Sequence, residues 1–512
     1  MAAHVTMDPA NATSTTSVAA AADAATISLS LISHTNVGKT TLMRTLLRRD
    51  LGEVADRAHV TEEAESHALI ETPQGDLLRL WDTPGFGDSA RLLKRLRISD
   101  NPIGWLVTQV WDRLTDRPFF SSQQAIRNAR DQSDVILYLV NAAEQPASAG
   151  YIDAEMQILA WIEKPVLLLL NQVGAPQSTD LEARDELLWR RHLSLHSRVR
   201  GILSLDAFAR CWVQEDKLLA TVGGFIPVAK ETAFARLHAA WRERNLDVFD
   251  ASMKLLAKQI ATIATDRESG GIPADFRGKA GRWLGSLLSD RDSSHPEEAR
   301  AMNALATRLD QVLRETTDRL LALHGLSGSA GATILARVSG NFNVAKKADP
   351  RKSGVIGGVV SGALGGLAAD LAAGGLTLGA GAVIGGIIGA LGGSGAAAAY
   401  NLARGATDGK VGWSAEFLAQ RPLAALLRYL AVAHYGRGRG DWSEGEYPPH
   451  WQGVVEEVVA QHWEELGAAL RAPEIDAGAE AVAERLHPAL AVIGADVLLK
   501  LYPDSRELFA AS

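Results

Sequence analysis

Cysteine is nearly absent: Cys211 is the only one in 512 residues. That excludes intrachain disulfides and a Cys-based zinc site, and it fits a reducing cytoplasm. No His/Asp/Glu cluster has metal-ligand spacing. Basic residues are in deficit, with 52 Lys and Arg against 60 Asp and Glu and a net charge of −8. This argues against a whole-chain nucleic-acid binder, so no DNA partner is expected. Residues 1–25 lack both a basic n-region and a long apolar core. They are rich in Ala, Ser and Thr and read as a disordered tail, not a signal peptide. Between Lys352 and Arg404 charge almost vanishes, Asp370 being the sole exception. Over the whole chain, 47% hydrophobic and 22% charged residues describe a globular protein long enough for three or more domains.

The chain is organised around Ser33-His34-Thr35-Asn36-Val37-Gly38-Lys39-Thr40-Thr41. The apolar run Ile27–Ile32 before it reads as a buried strand, and Leu42–Leu47 after it as a helix. Strand, tight loop, Gly-Lys-Thr and helix form a phosphate-loop context, in which backbone N–H groups of Asn36 to Thr41 face a phosphate. Lys39 would reach the β- and γ-phosphates and the Thr40 hydroxyl would ligate Mg²⁺. Ser33 stands where the pattern has its first Gly, with a modest cost expected for φ > 0. The alternative is a chance Gly-Lys-Thr in a strand–helix turn. A second motif weighs against chance: Asp82-Thr83-Pro84-Gly85 ends the apolar strand Leu77–Trp81. Asp82 would hold Mg²⁺ through water, and Gly85 lets its N–H approach the γ-phosphate. Between the motifs, Thr61 is the candidate switch threonine closing on Mg²⁺. His67–Glu71, Pro73–Asp76 and Leu77–Trp81 read as strand, turn, strand.

From about 26 to 210 the chain resembles the G domain of the Era- and septin-like GTPases, in the translation-factor-related class. The carriers are Asn36 to Leu42, reading N-V-G-K-T-T-L, and the D-T-P-G at Asp82 to Gly85. It also resembles a bacterial branch of that class with a long C-terminal region of uncharacterised role. The resemblance implies a mostly parallel, doubly wound α/β sheet. It also implies GTP and GDP as ligands, Mg²⁺ as cofactor, and in-line attack of water on the γ-phosphate. Lys39 and Thr61 are then the catalytic candidates, and Thr40, Thr61 and Asp82 the metal-holding ones. Two departures stand out. The fifth strand, Pro165–Leu170, is followed by Asn171-Gln172-Val173-Gly174 where the family has [NT]-K-x-D. Asn171 matches, Gln172 replaces the Lys that stacks on the base, and Gly174 replaces the Asp that reads guanine, so base discrimination should be weaker. Asp206 either supplies the missing acceptor or is an ordinary helix cap. Phe86 occupies the position of a water-orienting Gln, leaving Gly87, Asp88 and Ser89 as nearby candidates. Intrinsic hydrolysis should then be slow unless a partner or a dimer completes the site.

The nucleotide domain is placed at 26–225, with a helical insertion on the switch side at about 90–133. A separable domain there implies nucleotide binding independent of the residues beyond 225. The insertion carries Trp105, Trp111, Phe119 and Phe120, read as core, with a partner surface as the sharper alternative. Ser122–Arg130 reads as a helix, Asp134–Val140 as the fourth strand, and Asp153–Ile162 and Asp180–Ser197 as helices. From about 229 the pattern is wholly helical. Phe234, Leu237, Trp241, Phe249, Met253, Leu256 and Ile260 form an amphipathic stripe in a helical domain at 226–345. Ser294-His295-Pro296-Glu297 opens a second helix. Ala415–His434, His450–Arg471 and about 476–501 are the helices of a C-terminal domain at 411–512.

Residues 346–410 are set apart as an apolar helical hairpin. Gly354, Gly358, Gly362 and Gly366 recur every fourth residue, as do Gly381, Gly385, Gly389 and Gly393. Each series lays a glycine groove along one helix face, which admits a close backbone partner. Two readings stay open: association of residues 353–403 with the cytoplasmic face of the inner membrane, or a soluble packed hairpin or homo-oligomer contact. The leading expectation is a cytoplasmic, Mg²⁺-dependent GTPase switch coupled to a helical C-terminal half. The alternatives are an NTPase of relaxed base choice, a slowly hydrolysing nucleotide-binding scaffold, and a ribosome-associated GTPase.

Overall fold

The computed structural model describes residues 24–35, 37–48, 64–108, 116–171, 179–205, 211–269, 296–326, 410–413, 415–434, 450–471 and 478–510. Six strands form one sheet: β1 (Thr26–Ser33), β2 (Glu65–Glu71), β3 (Leu77–Asp82), β4 (Val135–Asn141), β5 (Val166–Asn171) and β6 (Val199–Ser204). Their order is β2-β3-β1-β4-β5-β6. Only β2 runs antiparallel, to β3; the other neighbours are parallel. The unbroken apolar runs of β4 and β5 are buried from Val135 to Val140 and from Val166 to Leu170, as a parallel sheet covered on both faces requires.

The two-residue period divides these side chains between two cores. Ile27, Leu29, Leu31, Leu137, Leu139, Leu167 and Leu169 point to one face. Ile32, Ile136, Tyr138, Val140, Leu168 and Leu170 point to the other. The second face is closed by α2 (Ser89–Leu96), α3 (Pro102–Thr108), α4 (Arg117–Asp131), α5 (Gly150–Ala160) and α6 (Thr179–His192). The region expected as an insertion is thus α2 to α4, packed on the sheet. Phe119 is buried there, with the Arg91 and Arg95 guanidinium groups 4.8 and 4.7 Å from its ring centre. Trp111 lies outside the described residues.

The first face is covered by α1 (Lys39–Leu47), α7 (Trp212–Gly223) and α8 (Glu231–Thr265). Helix α8 has 35 residues and buries Phe234, Leu237, Trp241, Phe249, Met253, Leu256 and Ile260 along one stripe. Beyond it lie α9 (Pro296–Leu323), α10 (Ala415–Ala419), α11 (Arg421–Ala433), α12 (His450–Gln461), α13 (Trp463–Ala469), α14 (Ala479–Leu501) and α15 (Arg506–Phe509). Trp212 sits where these groups meet. Its Nε1 donates to Tyr429 Oη at 3.1 Å, and its ring meets Trp241, Phe249 and Phe509. One buried cluster contains both the sheet residues of the first face and the helical residues through Leu508. The apolar core therefore runs on across residue 225.

Polar ties cross the same boundary. Asp76, in the turn between β2 and β3, accepts from Arg236 Nε of α8 at 2.7 Å. Arg48, just past α1 in a left-handed conformation (φ 54°), donates to Asn245 of α8 at 2.5 Å. The stretch expected as one helix at 415–434 is two, with Pro422 in the first turn of the second, a position where proline's missing N–H costs nothing. The 450–471 stretch likewise divides at His462. A short antiparallel pair, β7 (Arg267–Ser269) and β8 (Lys410–Gly412), was not expected in a helical region; three-residue strands are too short for periodicity to reveal. The four-residue glycine registers lie outside the described residues, and among the described ones no helix is long and apolar enough to cross a membrane.

Candidate nucleotide site

The motif residues converge at the carboxyl ends of β1, β3 and β5, where open α/β sheets bind ligands. Strand β1 delivers Ser33 fully buried, as its last extended residue. The expected backbone cost at Ser33 does not arise, because the described non-glycine residues with positive φ are Arg48 and Glu163. Its hydroxyl instead accepts from Lys39 Nζ at 2.9 Å. The left-handed turn falls at Gly38 (φ 93°, ψ 28°), the N-cap of α1, where a side chain would be strained. Val37 packs in the first-face core and Thr41 is buried on α1.

Lys39 is 8% exposed. Burial lowers its pKa, and the Asp82 and Glu155 carboxylates act against that fall. Thr40 Oγ1 donates to Asp82 Oδ2 at 2.8 Å, so the two oxygen donors expected around Mg²⁺ are side by side. Gly85 is closely packed: a Cβ there would lie 3.0 Å from Thr35 Cα and 3.1 Å from Lys39 Nζ. The phosphate loop, the lysine and the D-T-P-G turn are in contact.

Asn171 is fully buried and turns to the loop, donating from Nδ2 to the Val37 carbonyl at 2.7 Å. It braces the loop from a position 134 residues away. Asn36, Thr61, Gln172, Gly174 and Asp206 lie outside the described residues. Near Gly85, the three candidates for orienting water are otherwise engaged. Asp88 caps α2 by accepting from Arg91 N at 3.0 Å. Gly87 lies against Pro118. Ser89 donates to Glu155. Phe86 is fully buried in the second-face core, and its N–H donates to Ser33 O at 2.9 Å.

Glu155 and His34 escaped the sequence reading. Glu155, on α5, is fully buried and accepts from His34 Nδ1 at 2.7 Å, from Ser89 Oγ and from Tyr138 Oη. Burial and Glu155 together hold the Tyr138 phenol well above its ordinary pKa. Tyr138 was the available signal: a tyrosine in the middle of a buried strand needs a partner for its hydroxyl.

Residues 192–485 match the family of a domain of unknown function, DUF3482. The chain belongs to the DUF3482 family. The match begins inside α6 and takes in β6 and α7, so in this DUF3482 protein the family region overlaps the sheet. Residues 28–172 match the family described as 50S ribosome-binding GTPase. GTPase Era of Heliobacterium modesticaldum is 25% identical over 145 residues, covering 28% of this chain and 39% of that protein. The chain thus spans about two-fifths of that curated relative's length. The N-terminal part of this DUF3482 protein is an Era-like GTPase domain, followed by a mainly helical region. Similar solved structures include Era in complex with MgGDPNP and a segment of 16S ribosomal RNA, at 18% identity and a TM-score of 0.29. An Aquifex aeolicus Era variant bound to GDP and AlF4⁻ has 17% identity and a TM-score of 0.28. Each comparison covers 40% of this chain and 57% of the other.

Proposed function

We propose that the chain is a Mg²⁺-dependent GTP-binding and GTP-hydrolysing switch whose nucleotide state is transmitted to the helical half. The observation that carries this reading is the convergence of Lys39, Thr40, Asp82 and Gly85 at the ends of β1 and β3. Gly38 and the first turn of α1 present backbone N–H groups to the phosphates. Lys39 exchanges Ser33 for the β- and γ-phosphate oxygens, and the Gly85 N–H reads the γ-phosphate. The hydroxyl of Thr40 and the carboxylate of Asp82 are hard oxygen donors, 2.8 Å apart, and fit Mg²⁺. When bound, that ion neutralises charge on the β- and γ-oxygens. Thr61 is assigned to the same ion, and Gln172 and Asp206 to the base, with discrimination weaker than an intact [NT]-K-x-D would give. The contacts of Arg48 and Asp76 with α8 support coupling to the helical half.

The test is nucleotide binding by the full chain. Lys39→Ala should weaken binding of fluorescent GDP and GTP analogues at least about 100-fold, and Thr40→Ala should weaken the Mg²⁺ dependence. Unchanged affinity in Lys39→Ala refutes the site. Competition by GTP, ATP and XTP measures base choice, with Asp206→Ala testing the substitute reader. One observation favours a second reading, a scaffold that binds but hardly hydrolyses: Phe86 is buried away from the site. Single-turnover hydrolysis separates the two. Membrane association of residues 353–403 is a further part of the proposal, resting on the run whose only charge is Asp370. Flotation with liposomes, with and without that segment, tests it; analytical ultracentrifugation tests a homo-oligomer.

A further inference from the structure

We propose that Glu155 is a positioning residue that binds the phosphate loop and the segment after Gly85 into one unit, so that a γ-phosphate meets both already in place. The proposal rests on the GTPase reading above. Its basis is the arrangement of donors around a carboxylate that is fully buried on α5. A single oxygen, Oε1, receives both His34 Nδ1 of the phosphate loop, at 2.7 Å, and Ser89 Oγ, the first residue of α2. The second oxygen, Oε2, receives Tyr138 Oη of β4. His34 is held from its other side by stacking on Tyr151, with ring centres 4.3 Å apart.

Ser89 lies four residues beyond Gly85. The intervening chain is tied to β1 by Phe86 N to Ser33 O, at 2.9 Å. On the other side of Gly85, Thr83 Oγ1 donates to Leu31 O at 2.6 Å. Gly85 is thus held at both ends against the loop, and Glu155 is the far anchor. A buried carboxylate is costly unless its oxygens are satisfied. A pair of apolar residues would fill the same space at no such cost. What a satisfied polar network adds is a fixed mutual orientation of the segments that donate to it. Fixed donors need no rearrangement when charge arrives, the condition under which they stabilise it most. The same carboxylate also favours the charged form of Lys39.

The full chain is tested with fluorescent GDP and a non-hydrolysable fluorescent GTP analogue, in wild type, Ser89→Ala, Glu155→Gln and Tyr138→Phe. A hydrogen bond to a charged group is worth about 1.5–3 kcal/mol. Ser89→Ala and Glu155→Gln should therefore weaken the GTP analogue roughly tenfold or more, while leaving GDP within about twofold. Tyr138→Phe removes the same kind of bond from Glu155 without touching either nucleotide segment, and it should leave the GTP-to-GDP affinity ratio unchanged. A merely structural role moves both nucleotides alike, and moves Tyr138→Phe as much as Ser89→Ala; either result overturns the proposal. So does a ratio that stays constant or shifts toward the GTP analogue. If Glu155→Gln does not fold, Ser89→Ala against Tyr138→Phe decides. Wild type that binds with Mg²⁺ but shows no ratio change in the variants removes the positioning role alone. Wild type that binds neither nucleotide removes the GTPase reading and this role together.

Discussion

On one face of the six-stranded sheet, α2 to α6 close a core whose described residues run no further than Ile202. On the other face, α1 and α7 share their core with α8 and with the helices that end near Leu508. The difference teaches where the chain can be divided. The second face completes the nucleotide fold from local sequence. The first face is left apolar unless the helical half covers it, so that half serves as a missing layer of the sheet. The DUF3482 match begins at residue 192, the last of α6, and so takes in β6 and α7 together with most of the helical half.

The sharpest way to break this comparison is a chain ending at residue 225. It loses α8 and exposes Leu218, Leu219 and Val222 of α7. We expect it to aggregate or to bind nucleotide far more weakly than the full chain; a soluble monomer with undiminished GDP affinity would show that the faces are equivalent. Trp212→Ala comes next. Truncating a buried aromatic costs about 3–5 kcal/mol. On this face the loss should lower a single denaturant transition followed by both tryptophan fluorescence and nucleotide release.

Acid should act more strongly on the helical side. Burial lowers the pKa of His324 to about 3 and that of His434 to about 4. His434 is additionally held between the Leu430 carbonyl and Tyr502 Oη, at 2.8 and 2.7 Å. Both folded values lie below the ordinary 6.5 of the unfolded chain, so the unfolded state takes up protons first. Stability is intact above pH ~6.5 and falls as pH drops toward the folded values, by about 2 kcal/mol per histidine at pH 5. Urea titrations at pH 7 and pH 5 read this, and His324→Leu should reduce the slope by about half.

The smallest effect is expected at Asp76. Its hydrogen bonds with Arg236 hold its carboxyl at about 2, with further help from Ala25 N and Thr72. A depressed carboxylate pKa stabilises above the unfolded value of about 3.9 and loses that contribution as pH falls toward 2. Because Arg236 is partly exposed, about 1–2 kcal/mol is expected. Asp76→Asn should show the loss at pH 7 and no further loss between pH 4 and pH 2 from this site.

The parts of the site legible in the sequence were those written in consecutive residues. Gly38-Lys39-Thr40 and Asp82 to Gly85 follow apolar strands, and motif and strand together fix where the side chains emerge. The stripe of α8 was legible because 35 residues give many turns over which to see its period. Pairings between distant segments were not. Asn171 matched a base-reading motif, and its amide also donates to Val37 O, a contact no local pattern encodes. Glu155 looks like any helical glutamate until Tyr138, Ser89 and His34 are brought around it. Ser33 looked like a defect in the motif because glycine's usual role is conformational; here the hydroxyl serves as an acceptor for Lys39. The continuity of the first-face core was hidden for the same reason, since it joins residues as far apart as Trp212 and Tyr429.

Helix α1 has a mechanical consequence. Its nine residues form a rod of roughly 14 Å, with Gly38 at one end. At the other, Arg48 reaches Asn245 on α8 at 2.5 Å and lies 4.0 Å from Glu215 on α7. A short helix transmits axial push without bending. Under the proposed switch, one guanidinium at the end of α1 would be the link by which a load on the loop reaches α8. Asn245 is the fifteenth of the 35 residues of α8, so this contact meets the long helix near its middle and not at an end.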